Sequence, residues 1–160
     1  MRVLLTGGAG FIGSHTALLM LQKGYDLIIY DSFVNSSFKV TKAITNYLDS
    51  TKINYKLKTI RGDIRNQIDL DRVFKDSIKE GNPIQAVIHF AGLKSVSKSV
   101  SNPLDYWDVN VLGTQNLLKI MNTNRCYSIV FSSSATIYGF TDSQPIKEDN
   151  KVSPINPYGR

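Results

Sequence analysis

The chain has 160 residues, 42% of them hydrophobic and 20% charged, the proportions of a soluble globular domain large enough to bury a core of its own. One cysteine, Cys126, excludes an internal disulfide and a cysteine metal cluster, and no run approaches the roughly 18 consecutive apolar residues that a membrane span needs. The formal charge of +6, from 19 Lys and Arg against 13 Asp and Glu, falls on scattered residues such as Lys39, Lys42, Lys52, Lys56 and Lys58. These read as solvated surface rather than as a nucleic-acid footprint.

Val3-Leu4-Leu5 is the first predicted strand. Thr6-Gly7-Gly8 ends it too early for a signal-peptide core, so none is expected, and the lone Cys126 fits a reduced, cytoplasmic setting. The segment Thr6-Gly7-Gly8-Ala9-Gly10-Phe11-Ile12-Gly13 leads into a helical pattern over Ile12 to Gln22. Its glycines at 7, 10 and 13 suit a phosphate loop. Gly7 takes the turn out of the strand, Gly10 lets backbone approach a pyrophosphate, and Gly13 lets the helix lie close on the sheet. The helix N-terminus offers free N–H groups to the phosphates.

The second predicted strand is Leu27 to Tyr30, and Asp31 follows it, 24 residues after Gly7. A carboxylate there bonds the two ribose hydroxyls of adenosine and repels a 2′-phosphate, which favours NAD over NADP. Ser32 to Ser37 adds polar side chains, and a helix is predicted over Phe38 to Leu48. A third strand, Tyr55 to Ile60, ends at Gly62-Asp63-Ile64, where Asp63 suits the adenine amino group and Ile64 packs on the base. Its other reading is a helix N-cap, for which it lies early.

After a helix over Ile68 to Ile78 comes the strand Ala86 to Phe90, whose exit carries Ala91, Gly92 and Lys94: small residues beside a cofactor, then a cation at the mouth. A long helix is predicted over Pro103 to Met121, with the Tyr106 and Trp107 pair packing on the sheet. The last strand, Ser128 to Phe131, ends in the hydroxyl run Ser132-Ser133-Ser134, and Tyr158 follows Ser134 by 24 residues. His15 and His89 read as structural, and Cys126 as a small hydrophobe. Apolar strands alternating with helices give an α/β fold, a doubly wound parallel sheet of the Rossmann type with helices on both faces, over residues 1–160. Its ligands bind beyond the carboxyl ends of the strands.

These motifs resemble the extended short-chain dehydrogenase/reductase family over essentially the whole chain. The glycine loop is shared widely there. His89 to Val96, Asn110-Val111-Leu112-Gly113-Thr114 and Phe131 to Gly139 are more specific and look like the UDP-glucose 4-epimerase branch. The resemblance implies an NAD-dependent isomerase of galactose and nucleotide-sugar metabolism, homodimeric at full length, acting on UDP-galactose and UDP-glucose through a 4-keto sugar. It implies Ser134 and Tyr158 as the catalytic pair. Tyr158 would take the 4-hydroxyl proton as NAD takes the C4 hydride, and Ser134 would orient that hydroxyl. Lys94, Phe90, Ala91, Gly92, Asn110, Ser132 and Tyr158 would hold the cofactor, and Lys94, Ser134 and Tyr158 the substrate. Phe11, Ile12, Asn35 and Ser36 match cofactor contacts at the phosphates and the adenosine ribose. No metal enters this chemistry.

A phenol ordinarily titrates near pH 10, about three units above neutrality, so a base of this kind needs positive charge beside it. In the family that charge comes from the nicotinamide and from a lysine four residues after the tyrosine. Here the chain ends two positions short of that lysine, at Arg160, and the resemblance implies an N-terminal portion lacking the substrate domain, inactive alone. Val109 also departs from a family position that is more often polar. Two alternatives remain: a non-catalytic NAD-binding module, and another nucleotide-sugar epimerase or dehydratase.

Overall fold

Strand-forming and helix-forming segments alternate through a computed structural model that describes residues 1–141 and 144–160. In order they are β1 (Arg2–Thr6), α1 (Phe11–Gln22), β2 (Asp26–Asp31), α2 (Phe38–Thr51), β3 (Lys56–Arg61), α3 (Gln67–Lys79) and β4 (Ile84–His89). Then follow α4 (Val96–Ser101), α5 (Pro103–Tyr106), a π-helical segment (Trp107–Leu112), α6 (Gly113–Thr123), β5 (Ser128–Phe131) and a 3₁₀ turn (Ala135–Tyr138). The strands form one parallel sheet in the order β3-β2-β1-β4-β5, which is the doubly wound sheet expected from the sequence.

Alternation along the strands divides the interior in two. Leu4, Ile28, Tyr30 and Val87 point to one face, where Leu70, Val73 and Phe74 of α3 and Leu117, Ile120 and Met121 of α6 cover them. Val3, Leu5, Leu27 and Ile29 point to the other, under Ala17 and Leu21 of α1 and Ile44 and Leu48 of α2. β1 and β2 are buried on both sides and read as apolar runs. The third predicted strand is different. β3 is an edge, with Lys56, Lys58 and Arg61 exposed between partly buried residues, and charge on an edge discourages pairing with another chain.

Side chains start three of the α-helices: the Ser37 hydroxyl accepts the Lys39 N–H at 3.2 Å, the Asn66 amide oxygen accepts the Asp69 N–H at 3.2 Å, and the Ser95 hydroxyl accepts the Lys98 N–H at 3.4 Å. Asn66, not Asp63, is therefore the N-cap of α3. The helix predicted from Pro103 to Met121 is interrupted by the wider π turn, and the short α4 precedes it. The strand ends lie level, Thr6 opposite Tyr30 and His89, and His89 opposite Phe131. No helix among the described residues is long and apolar enough to cross a membrane.

Candidate functional site

Between β1 and β4 the strand order reverses, and the segments leaving these two strands diverge to opposite faces of the sheet. A crevice opens there, beyond the carboxyl ends. It holds two adjoining cavities of about 350 and 450 Å³ that share Gly7, Gly10, Phe90, Ala91, Gly92, Lys94 and Tyr106 as a common waist. One reaches Asn110, Ser132, Ser134 and Tyr158, and the other reaches Asp31, Asn35, Asp63 and Ile64. With Phe11, Ile12 and Gly13 on the first wall, the crevice gathers every residue singled out from the sequence except Ser36.

At the waist, Gly7 has a φ of +66°, and a Cβ on it would lie 2.5 Å from the Ala91 nitrogen. Gly10 is different: a Cβ there would meet only the Gly7 carbonyl, at 3.3 Å, so its open side faces the crevice rather than protein. Gly13 does not pack on the sheet as expected. A Cβ on it would strike the Gly7 oxygen at 2.6 Å and Gly8 Cα at 2.7 Å, so it folds the helix against its own loop. The first bond within α1 runs from the Ser14 N–H to the Gly10 carbonyl at 2.9 Å. The N–H groups of Phe11, Ile12 and Gly13 precede it, and α1 starts with no capping side chain and no acidic residue.

At one end of the crevice Asp31 is buried and works within the protein. Its carboxylate accepts the Ala9 N–H, the Phe33 N–H and the Ser36 hydroxyl, each at 2.9 Å. Ser36 thus braces Asp31 instead of bordering the cavity. Of roughly four acceptor sites on a carboxylate, one is left for a ligand. Asp63 is also engaged: Arg65 donates to it through its backbone N–H (2.9 Å), Nε (3.0 Å) and Nη2 (2.7 Å). The guanidinium's hydrogen bonds hold the Asp63 carboxyl below the usual range against the opposing effect of burial. Ile64 is buried in the core beneath Gly113. Beside them the Tyr30 hydroxyl donates to the Asp63 carbonyl at 3.0 Å, and burial above all pushes the Tyr30 phenol up to about 12. Gly62 is the residue that admits the Tyr30 ring, which any Cβ there would overlap. The sequence assigned no role to Tyr30, Gly62 or Arg65, since their contacts reach between elements that only the fold brings together.

At the other end a buried hydrogen-bond chain fixes the backbone. The Thr114 hydroxyl donates to the Asn110 carbonyl at 2.6 Å, so it must accept from His89 Nε2 at 2.9 Å. In the neutral ring Nδ1 is then the acceptor, and the Thr6 hydroxyl donates to it with the two heavy atoms 2.5 Å apart. His89 is 1% exposed and burial lowers its pKa to about 4, so the neutral ring and this tautomer agree. The Asn110 side chain grips Leu93 from both sides, accepting its N–H at 2.7 Å and donating to its carbonyl at 2.8 Å. Asn110, expected to help hold the cofactor, lines the cavity and spends its amide on the loop that carries Lys94.

Ser134 caps the 3₁₀ turn, accepting the Thr136 N–H at 3.2 Å, with its oxygen 2.9 Å from that of Thr136. Tyr158 packs edge-on to Tyr106, the ring centroids 6.1 Å apart. Tyr106 is buried and donates to the Ser95 carbonyl at 2.6 Å, whereas Trp107, expected to pack on the sheet with it, is 49% exposed on the cavity rim.

A match to the GDP-mannose 4,6-dehydratase family runs over residues 4–160. The chain belongs to that family. It is 43% identical over 159 residues to the bifunctional UDP-glucose 4-epimerase and UDP-xylose 4-epimerase 1 of Pisum sativum, covering 99% of this chain and 44% of the relative. Among solved structures it is similar to the UDP-glucose 4-epimerase of Bifidobacterium longum in complex with NAD+ and UDP (41% identity, TM-score 0.88, 99% of this chain, 45% of that one). It is similar also to that of Stenotrophomonas maltophila with bound NAD and formylated UDP-arabinopyranose (37% identity, TM-score 0.88, 99% and 44%). The resemblance drawn from the His89–Val96 and Phe131–Gly139 motifs holds, and the chain spans less than half the length of these relatives.

The buried histidine gives the fold a pH signature. In the unfolded chain His89 takes a proton near its ordinary pKa of 6.5; in the fold it does so only near 4. Its contribution is complete above 6.5 and is lost as pH falls toward 4. Between pH 7.5 and 5.5, about 1 kcal/mol of stability should disappear. Urea unfolding at the two pH values checks this, and His89→Gln should flatten the difference.

Proposed function

We propose that this chain is the NAD-binding portion of a UDP-glucose 4-epimerase, cytoplasmic and homodimeric at full length, which interconverts UDP-galactose and UDP-glucose. The observation that carries the reading is the single crevice in which the glycine loop, Lys94, Ser134 and Tyr158 meet. Similarity to epimerases solved with NAD and with UDP compounds supports the same assignment.

The crevice fits an extended dinucleotide. Gly10 leaves open space where a pyrophosphate approaches, and the N–H groups of Phe11, Ile12 and Gly13 stand ready for it at a helix start free of acidic side chains. The one acceptor site left on Asp31 suits a ribose hydroxyl, and Asp63 and Ile64 border the adenine end. NAD, when bound, would accept the hydride from C4 of the sugar and donate it back to the 4-keto group, so that the isomerisation is redox-neutral overall. Tyr158 takes the proton from the 4-hydroxyl and returns it once the 4-keto sugar has turned over. Ser134 holds that hydroxyl through the donor and acceptor capacity that its capping bond leaves, and Lys94 supplies positive charge at the waist.

Gly10→Val should remove NAD binding while leaving the circular dichroism spectrum unchanged, because the extended backbone at Gly10 (φ −70°, ψ 175°) accommodates valine. A folded variant with normal affinity would mean that the phosphates lie elsewhere.

By isothermal titration the chain should bind NAD more tightly than NADP. Asp31→Asn keeps an acceptor for the Ala9 N–H but removes the charge, and should narrow that preference roughly tenfold. Tighter binding of NADP to the unaltered chain would reverse the cofactor assignment.

The enzymatic reading is tested by UDP-glucose formation from UDP-galactose, measured for the protein at its native length and for the 160-residue chain. Turnover is expected at native length, lowered about 10²- to 10⁴-fold by Tyr158→Phe, and none from the 160-residue chain, which spans 44% of its relative. NAD binding without turnover of any UDP-hexose would favour a binding module instead.

A further inference from the structure

The adenosine end of the crevice is built from two walls that are far apart in sequence. One is the segment leaving β3, with Gly62, Asp63, Ile64 and Arg65; the other is the helical stretch carrying Asp105, Tyr106 and Val109. The second wall includes part of the π turn, Trp107–Leu112, a wider geometry that is rare and occurs mostly as single turns within helices, frequently at functional sites. Arg65 joins the two walls. Nη2 and Nε hold Asp63 at 2.7 and 3.0 Å, and Nη1 reaches across to Asp108 on the π turn at 2.7 Å. Behind this fork the Arg65 carbonyl accepts from Asn116 of α6 at 3.2 Å, and Gln67 donates to Asn116 at 2.6 Å.

We propose that Arg65 is a positioning residue of the adenosine pocket: by bridging Asp63 and Asp108 it sets the spacing of the two walls and the orientation of the Asp63 carboxylate toward the base. The inference rests on the reading of the crevice as an NAD site and deepens it. Two features separate this pair from an ordinary surface contact. Arg65 contributes three donors in one plane to two carboxylates on different elements, so the fork fixes an angle as well as a distance. Its place is also specific, because Arg65 and Asp63 border the cavity while Asp108 does not. Asp108 therefore acts on a ligand through the residue that it holds rather than by direct contact. The side chain of Arg65 is 44% exposed, so an isolated pair there would add little stability. The effect belongs to binding.

The test titrates NAD, ADP-ribose and nicotinamide mononucleotide into the chain and into Arg65→Ala, Arg65→Lys and Asp108→Asn. Arg65→Ala should weaken NAD and ADP-ribose roughly three- to tenfold and leave nicotinamide mononucleotide unchanged. Arg65→Lys should not restore affinity, since a single ammonium cannot span both carboxylates in a fixed plane. Asp108→Asn should weaken the same two ligands, and combining it with Arg65→Ala should add nothing further. Equal weakening of all three ligands with a lowered Tm would overturn the proposal in favour of a general structural role. Unchanged affinity in every variant would overturn it too. A wild-type chain that binds neither NAD nor ADP-ribose would overturn the cofactor reading and this inference with it.

Discussion

Gly7 leaves β1 with its backbone pressed against the Phe90–Ala91 peptide, close enough that a Cβ would sit 2.5 Å from the Ala91 nitrogen. Around this contact the Gly7 N–H donates to the Tyr30 carbonyl and the Phe90 N–H to the Thr6 carbonyl, each at 2.9 Å. The ends of β1, β2 and β4 are thereby locked to one another. The strand order reverses here, so the chain leaves β1 and β4 toward opposite faces and a crevice is left between them. The glycine contact makes the waist of that gap, and both cavities open from it.

Around the waist the polar side chains hold backbone first and leave only part of their capacity for a ligand. Asp31 orders the glycine loop through Ala9 and the following loop through Phe33 and Ser36. Asn110 holds Leu93 at both its N–H and its carbonyl, and His89 ties β1 to α6 through Thr6 and Thr114. Buried polar groups cost free energy unless bonded, and bonding them to loops makes the loops rigid. A rigid site loses less order when it binds.

On the proposed reading, the chain carries the part of the epimerase chemistry that lies on the sheet: phosphate loop, adenosine end, Lys94, and the Ser134 and Tyr158 pair. Its relatives are more than twice as long, and the proposed activity belongs to that whole. Trp107 and Tyr106 stand at the rim of the cavity that holds Tyr158, and the exposure of Trp107 makes it a wall for whatever enters there.

The sequence by itself determined the sheet, its parallel sense and the strand ends at which function gathers. Apolar runs of strand length, separated by amphipathic helices and glycine turns, admit few other arrangements. It also marked the loop glycines, Asp31, Asp63, Lys94, Ser134 and Tyr158, because each follows a strand or completes a recognisable motif. Tertiary structure alone decided how these residues are used. Gly13 serves its own loop, Ser36 braces the Asp31 carboxylate, Asn110 holds the Leu93 backbone, and Asn66 takes the capping role that Asp63 had offered to fill. Arg65 finds a partner 43 positions away, and His89 finds its two threonines 83 and 25 positions away. Periodicity reports which face of an element a residue occupies, but a hydrogen bond between elements depends on register and on the course of the π turn, which only the packed fold sets.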